Sequence, residues 1–385
     1  MAPERLEEVD ALSVAVEPAQ DVSAGACMNG QLRSQWRKPR LYAALDLGTN
    51  SCRMLIARPK GSQFVVTDSF SKSVQLGSGL ETTGRLSKLS MSRTIQALRI
   101  CQKKLERHDV RNMQLIATEA CRRARNGGEF MRRIRRETGL RFDIINPEEE
   151  ARLAVISCSS LVHPQSEQLL IIDIGGGSTE LVWIDLTDVP SHERPRALMQ
   201  IPARFSAPGE EMMGGKGLRI VDWISVKLGV ATLRDQFADV EEDTARFALM
   251  SWFFEEQLID FAPYQFRPDY RNFQIIGTSG TVTTVAATWL GLRRYDRAKV
   301  DGFEMTSAQI DAVIRDYLML GPEGRQSDPR IGRDRQALIM PGAAILHALM
   351  RIWPTNRLSV ADRGLREGML YAQMNRDGVL REGPD

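Results

Sequence analysis

At 385 residues, with 43% apolar and 26% charged side chains, the chain has the composition of a globular protein long enough for two domains. A net charge of +2 supplies no global field for nucleic acid, and no apolar run approaches the roughly 20 residues of a membrane span. Five scattered cysteines (Cys27, Cys52, Cys101, Cys121, Cys158) form no CxxC pair, and the N-terminus is acidic where a signal peptide would be basic and then apolar, so reduced thiols in a cytoplasmic protein are predicted.

Residues 1–40 read as a disordered tail. Order begins at Leu41, where YAALDLGTNSCRMLIA is a strand, a turn at 48–51 and a second strand, and FVVTDSFSKSVQLG extends the pair into an antiparallel meander. Residues 89–107 carry Ile95, Leu98, Ile100 and Leu105 at helical spacing. NMQLIAT predicts a short buried strand, an arginine-rich helix starts near Glu119, and RFDIIN is the next strand. The seven arginines of RRARNGGEFMRRIRR suit either a solvated helix face or an anion-binding surface. PEEEARLAVISCSSL then opens a helix, with Pro147 in its first turn and acids behind it.

Next the chain repeats itself. ALDLGTNSCRMLIA and IIDIGGGSTELVWI align without a gap, placing Asp46 on Asp173, Gly48 on Gly175 and Ser51 on Ser178. Each is strand, acid, glycine turn, hydroxyl, strand, which predicts two related α/β domains facing each other. We place them at 41–152 and 153–375, with 376–385 as a tail. An arginine- and proline-rich connection leads to helices from about 222 to 261. FQIIGTSGTVTTVAATWLG is a strand passing through Gly-Thr-Ser-Gly into a helix, GAAILHALMRIW an amphipathic helix, and RLSVADRGLREGMLYAQM a short strand followed by a helix.

Glycine turns at strand ends leave backbone N–H groups unshielded, and such groups, with neighbouring hydroxyls, receive anionic oxygens. Three of these turns occur: Gly48 to Ser51 with Asn50, Gly175, Gly176 and Gly177 to Ser178, and Gly277 through Ser279 and Gly280. Phosphate is the ligand they suit. Acids beside an anion site need a cation or a proton, and Mg²⁺ takes few carboxylates plus water and phosphate oxygens. Asp46 and Asp173, each just before its turn, are therefore candidate metal-positioning groups. Hydrolysis also needs a group that orients or deprotonates water. Glu148, Glu149 and Glu150 lie at the domain junction, and their spacing leaves all three open. The four histidines are isolated, and no GxSxG or Cys–His arrangement competes.

DLGTNSCR, NPEEEARL, DIGGGSTEL, GTSGT and DRGLREGML, in this order over residues 41–374, together resemble the exopolyphosphatase/guanosine pentaphosphate phosphohydrolase family. The resemblance implies an α/β fold of two ribonuclease-H-like domains flanking a cleft, as in actin, heat-shock chaperone ATPases and sugar kinases. It implies Glu150 as general base, Asp173 as the Mg²⁺-associated aspartate, Glu180 as the second essential carboxylate, and Arg122 as a phosphate-contacting arginine. Residues 175–178 match the family's phosphate loop, and Asn50 and Ser51 the opposing one.

The expected activity is metal-dependent release of terminal orthophosphate from inorganic polyphosphate by a cytoplasmic homodimer. The close alternative is 5′-phosphate hydrolysis of guanosine pentaphosphate, a nucleotide of the stringent response, with guanosine tetraphosphate as a further ligand. A phosphate- or nucleotide-sensing protein with weak turnover is the alternative from another class. A chaperone would need a peptide-binding domain, and a kinase a sugar site. Two departures stand out. Longer members carry a C-terminal helical domain with an HD-type histidine–aspartate pair, which nothing after residue 374 matches, so its grip on long polymers is not carried over. Ala337 also stands where many relatives have aspartate, and no physical reason for it is evident.

Overall fold

The computed structural model describes residues 40–207, 210–266, 268–269, 271–332 and 335–380. The predicted tail to residue 39 and the last five residues lie outside these. The first half runs β1 (Tyr42–Leu47), β2 (Ser51–Lys60), β3 (Gln63–Ser73), α1 (Leu80–Thr83), α2 (Lys88–Arg107), β4 (Asn112–Ala117), α3 (Glu119–Arg123), α4 (Gly127–Thr138) and β5 (Asp143–Ile144). Helix α5 (Pro147–Cys158) follows, its start fixed by Asn146 Oδ1 accepting the Glu149 N–H at 2.8 Å and by Pro147 in the first turn.

The second half runs β6 (Gln168–Ile174), β7 (Thr179–Asp185), α6 (Arg194–Met199), β8 (Met212–Met213), β9 (Arg219–Val226), α7 (Val230–Gln236), α8 (Asp243–Glu256), β10 (Phe273–Thr278) and α9 (Gly280–Trp289). It closes with α10 (Arg297–Val300), β11 (Glu304–Met305), α11 (Ser307–Ser327), α12 (Ile339–Ile352), β12 (Leu358–Ala361) and α13 (Leu365–Arg376).

One sheet has the order β3-β2-β1-β4-β5, and the other contains β9-β7-β6-β10-β12. In both, the first three strands in sequence are antiparallel and the last two join in parallel. This is one ribonuclease-H-like topology used twice, as the internal repeat predicts. The buried run of β1 and the apolar run of β6 suit central strands covered on both faces. The edge strand β3 instead alternates exposed and half-buried side chains.

The helix that follows each half packs on the other half's sheet. Ala151, Ala154 and Val155 of α5 lie in the core beneath β6 and β7. Leu365, Met369 and Leu370 of α13 lie with Tyr42, Ala44 and Leu55 beneath β1 and β2. The two helices cross at Gly368, where an added Cβ would sit 2.1 Å from the Leu153 carbonyl oxygen. Among the described residues no helix is long and apolar enough to cross a membrane.

Two sequence expectations are corrected. Residues 219–226, expected in part as helix, form β9, because pairing with β7 completes the second sheet. The arginine-rich stretch is two helices, α3 and α4, broken around Asn126, whose side chain instead bonds both the N–H (2.8 Å) and the carbonyl (3.0 Å) of Leu86. Helix α12 is amphipathic as expected, with a narrow polar face of His347 and Arg351 one turn apart and its other residues buried.

The crossing yields a test. Gly368→Ala should lower stability by at least roughly 1–3 kcal/mol, since main-chain atoms leave no flexible neighbour to give way. Gly128→Ala, where the nearest atom is the end of Arg132 at 3.8 Å, should be neutral or stabilising. Urea denaturation of both variants checks this.

Candidate active site

Each turn between the first two strands of a half closes on itself: Gly48 N–H donates to the Ser51 carbonyl at 3.0 Å, and Gly175 N–H to the Ser178 carbonyl at 2.9 Å. The turns face each other closely. A Cβ on Gly176 would lie 3.1 Å from Thr49 Cβ, and one on Gly177 would lie 2.6 Å from Thr49 Oγ1 and 3.0 Å from Glu119 Cγ. The carbonyls of the glycine turn point to the start of α7, where Val230 N–H reaches Gly175 O at 3.0 Å and Ala231 N–H reaches Gly176 O at 2.8 Å. The turn is thus fixed through its carbonyl edge while it lines the cleft. The three glycines answer two needs, close meeting of the halves and an open backbone.

Most of the candidate residues meet in one cleft of about 300 Å³. Asp46, Asn50, Ser51, Glu150 and Asp173 line it, as do residues 175–178 and Ser279 with Gly280. Gly277 does not: it lies within β10 against Val282. The third turn therefore differs from the other two, being a helix start, with the Ser279 hydroxyl accepting the Thr281 and Val282 N–H groups at 3.1 and 3.0 Å.

The three glutamates left open by the sequence separate. Glu148 Oε1 accepts the Phe205 N–H at 2.6 Å, and Glu149 pairs with Arg152 at 2.7 and 2.8 Å. Glu150, 7% exposed, lies at the cleft. Arg122 stands behind it. Its Nη1 and Nη2 are each 3.3 Å from Glu150 Oε2, while Nε and Nη2 bind Glu119 Oε2 at 3.0 and 2.5 Å and Nη1 binds the Ile145 carbonyl at 2.7 Å.

The strand register arranges equivalent rows in the two sheets. Asp46, Arg53 and Ser71 are neighbours across β1, β2 and β3; Asp173, Glu180 and Ser225 are neighbours across β6, β7 and β9. Glu180 is fully buried beside Asp173 and accepts the Ser225 hydroxyl at 2.8 Å. One oxygen each of Asp46 and Glu180 is buried with no hydrogen-bond partner among the described residues, as is Arg53 Nε.

Burial raises the proton affinity of all four acids. Asp46 is pushed up to about 6 against the pull of Arg53 and Arg366, and Asp173 to about 8 by burial and then by Glu180 and Asp46. Glu180 rises to about 7 by burial, held back by bonds from Ser178 and Ser225. Glu150 is raised well above the ordinary range by burial and then by Glu180, with Arg122 opposing. Arg53 is lowered by burial and by its neighbours Arg366 and Arg335.

Sequence reasoning missed several cleft residues. Thr49, Arg53, Lys72, Glu119, Arg335 and Arg366 all line it. Arg53 carried a readable signal, because the gap-free repeat sets it opposite Glu180. Arg366 lay inside the quoted DRGLREG motif. Lys72, Glu119 and Arg335 had none, since only packing brings them there.

Two copies of one strand order, with glycine turns facing across a cleft lined by carboxylates, define a protein of the ribonuclease-H-like, actin-like fold class. The chain belongs to the Ppx/GppA phosphatase family, which matches residues 55–194 and 210–377. It is 24% identical over 335 residues to a Haemophilus influenzae protein named "Putative exopolyphosphatase", covering 86% of this chain and 91% of that one. A crystal structure of the Aquifex aeolicus Ppx/GppA family member is 28% identical, with a TM-score of 0.68 over 88% of this chain and 98% of that one. An exopolyphosphatase from Cytophaga hutchinsonii shares the fold at 22% identity, with a TM-score of 0.72 over 90% of this chain and all of that one.

The buried acids bind protons more tightly folded than unfolded. Their stabilising effect is therefore present below the ordinary carboxylate range, near pH 4, and is lost as pH rises through about 6 to 8. In the presence of a chelator, Asp173→Asn should raise the melting temperature by several degrees at pH 8.5 and much less at pH 4.5. A gain that does not change with pH would contradict this assignment.

Proposed function

We propose that this protein hydrolyses the terminal phosphoanhydride of inorganic polyphosphate and releases orthophosphate. The observation that carries the reading is the placement of Glu150, alone of three adjacent glutamates, in the cleft that the two glycine turns enclose. Membership of a phosphatase family supports it, as does the likeness to relatives named as exopolyphosphatases.

In this reading the terminal phosphate lies between the turns at 48–51 and 175–178, whose backbone N–H groups and hydroxyls donate to its oxygens. Glu150 orients a water in line with the bridging bond and takes its proton, a task suited to a carboxylate whose proton affinity burial has raised. Arg122, behind Glu150 and outside the cleft lining, offsets charge from there, and the arginines at 53, 335 and 366, which line the cleft, suit the phosphates that remain.

The acid set also fits a divalent cation. Asp46 and Glu180 each keep a buried oxygen without a partner, and Asp173 lies between them in charge terms, raised by both. Among the described residues no three His, Cys, Asp or Glu side chains are grouped to hold a metal ion, so a cation here would have to complete its shell with water and phosphate oxygens, as Mg²⁺ does. Asp173, with Asp46 or Glu180, would hold it. Once bound, it would offset charge on the phosphate oxygens.

Guanosine pentaphosphate presents the same terminal anhydride, and the cleft reaches past the phosphate turns to Arg335, which lies over the Tyr295 ring at 6.0 Å. That extension favours a nucleoside as the second reading. Phosphate release from tripolyphosphate, long polyphosphate and guanosine pentaphosphate should show at least about tenfold higher kcat/KM for a polyphosphate. The reverse order would replace the first reading by the second. Glu150→Gln should reduce turnover at least roughly a hundredfold while binding of tripolyphosphate holds or tightens. Near-normal turnover in that variant would exclude Glu150 as the base.

A further inference from the structure

The guanidinium of Arg122 lies between two carboxylates, and the contacts are unequal. Glu119 Oε2 receives Nε at 3.0 Å and Nη2 at 2.5 Å, whereas both contacts to Glu150 Oε2 are 3.3 Å, at the long limit for such bonds. Glu119 is 4% exposed, lines the cleft, and has its other oxygen buried without a hydrogen bond, with Arg123 Nε 3.6 Å away. Arg123 is itself taken by Glu81, which its Nη1 and Nη2 meet at 2.7 and 2.8 Å. A buried carboxylate with an unsatisfied oxygen is destabilising, so Glu119 is poorly explained as a residue that serves stability alone.

Glu119 also meets the glycine turn. Its Cγ and Cβ would be 3.0 and 3.3 Å from a Cβ on Gly177, so its stem touches that turn while its carboxylate grips Arg122. It therefore sets the arginine's position relative to both the turn and Glu150. We propose that Glu119 is a positioning residue that keeps Arg122 from closing on Glu150, leaving the Glu150 carboxylate available to a water. Without Glu119, the guanidinium would lose its contacts at 2.5 and 3.0 Å, keep the Ile145 carbonyl at 2.7 Å as its one short anchor, and turn about it toward Glu150, the carboxylate that remains. A tight Arg122–Glu150 pair would then occupy the oxygens that the water needs.

The proposal rests on the hydrolase reading for its consequence, but its coupling between two residues does not. The test is a double-mutant cycle on tripolyphosphate hydrolysis with Glu119→Ala, Arg122→Ala and the pair, with melting temperatures recorded for all three. Glu119→Ala should lower kcat at least about tenfold with a smaller change in KM, and the pair should be no worse than Arg122→Ala alone. Glu119→Gln, which keeps shape and one acceptor oxygen, should recover part of the loss. Equal losses from Glu119→Ala in both backgrounds would reduce Glu119 to a structural role, as would unchanged kcat in Glu119→Ala. If Glu119→Ala fails to fold, the same cycle with Glu119→Gln decides between these outcomes. A wild-type protein that leaves every substrate intact would sink the hydrolase reading alone. The cycle is then read in tripolyphosphate affinity, where additive effects of the two substitutions would overturn the coupling.

Discussion

Helices α5 and α13 cross where Gly368 lets one backbone rest on the Leu153 carbonyl of the other. Each helix leaves its own half to cover the sheet of the opposite half, so neither sheet has a complete core without the other. The exchange also delivers chemistry. The first turn of α5 brings Glu150 to the second sheet's acids, and the first turn of α13 brings Arg366 to the cleft beside Asp46 and Arg53. A wider crossing would separate the glycine turns, whose contact through Thr49 and Gly177 tolerates no added atom.

The two halves share a backbone but have diverged in charge. At equivalent places in their strand rows, one carries Glu180 and the other Arg53. The second half thus concentrates negative charge with Asp173 and Glu150 nearby, while the first sets a buried guanidinium beside a single acid. The cleft therefore has one wall of negative and one of positive side chains. Neither wall is favourable by itself: the carboxylates take up protons, and Arg53 loses affinity for its own, because burial removes the water that would stabilise their charges.

Several features were legible before the fold because they are demands of the local backbone. A strand that must end in a sharp turn writes its glycines and its hydroxyl side by side, and a duplicated turn writes them twice. Asn146 and Pro147 likewise announce the start of α5 within a few residues. Less legible were β9, whose apolar residues follow no strict alternation and whose pairing with β7 decides its form, and the break between α3 and α4, which depends on two hydrogen bonds between Asn126 and the distant Leu86.

Sequence by itself determined the strand–turn–strand repeat, the family, and the run of three glutamates of which one reaches the cleft. Tertiary structure alone decided that Glu148 turns to Phe205 and Glu149 to Arg152, so that Glu150 remains for the cleft. It alone placed Glu119 between Arg122 and Gly177, and Lys72 and Arg335 on the cleft walls. The reason is one of range. Turn and cap preferences act over a few bonds and leave a pattern in neighbouring residues, whereas burial, charge coupling and close approach arise between segments far apart in the chain, and no local pattern encodes them.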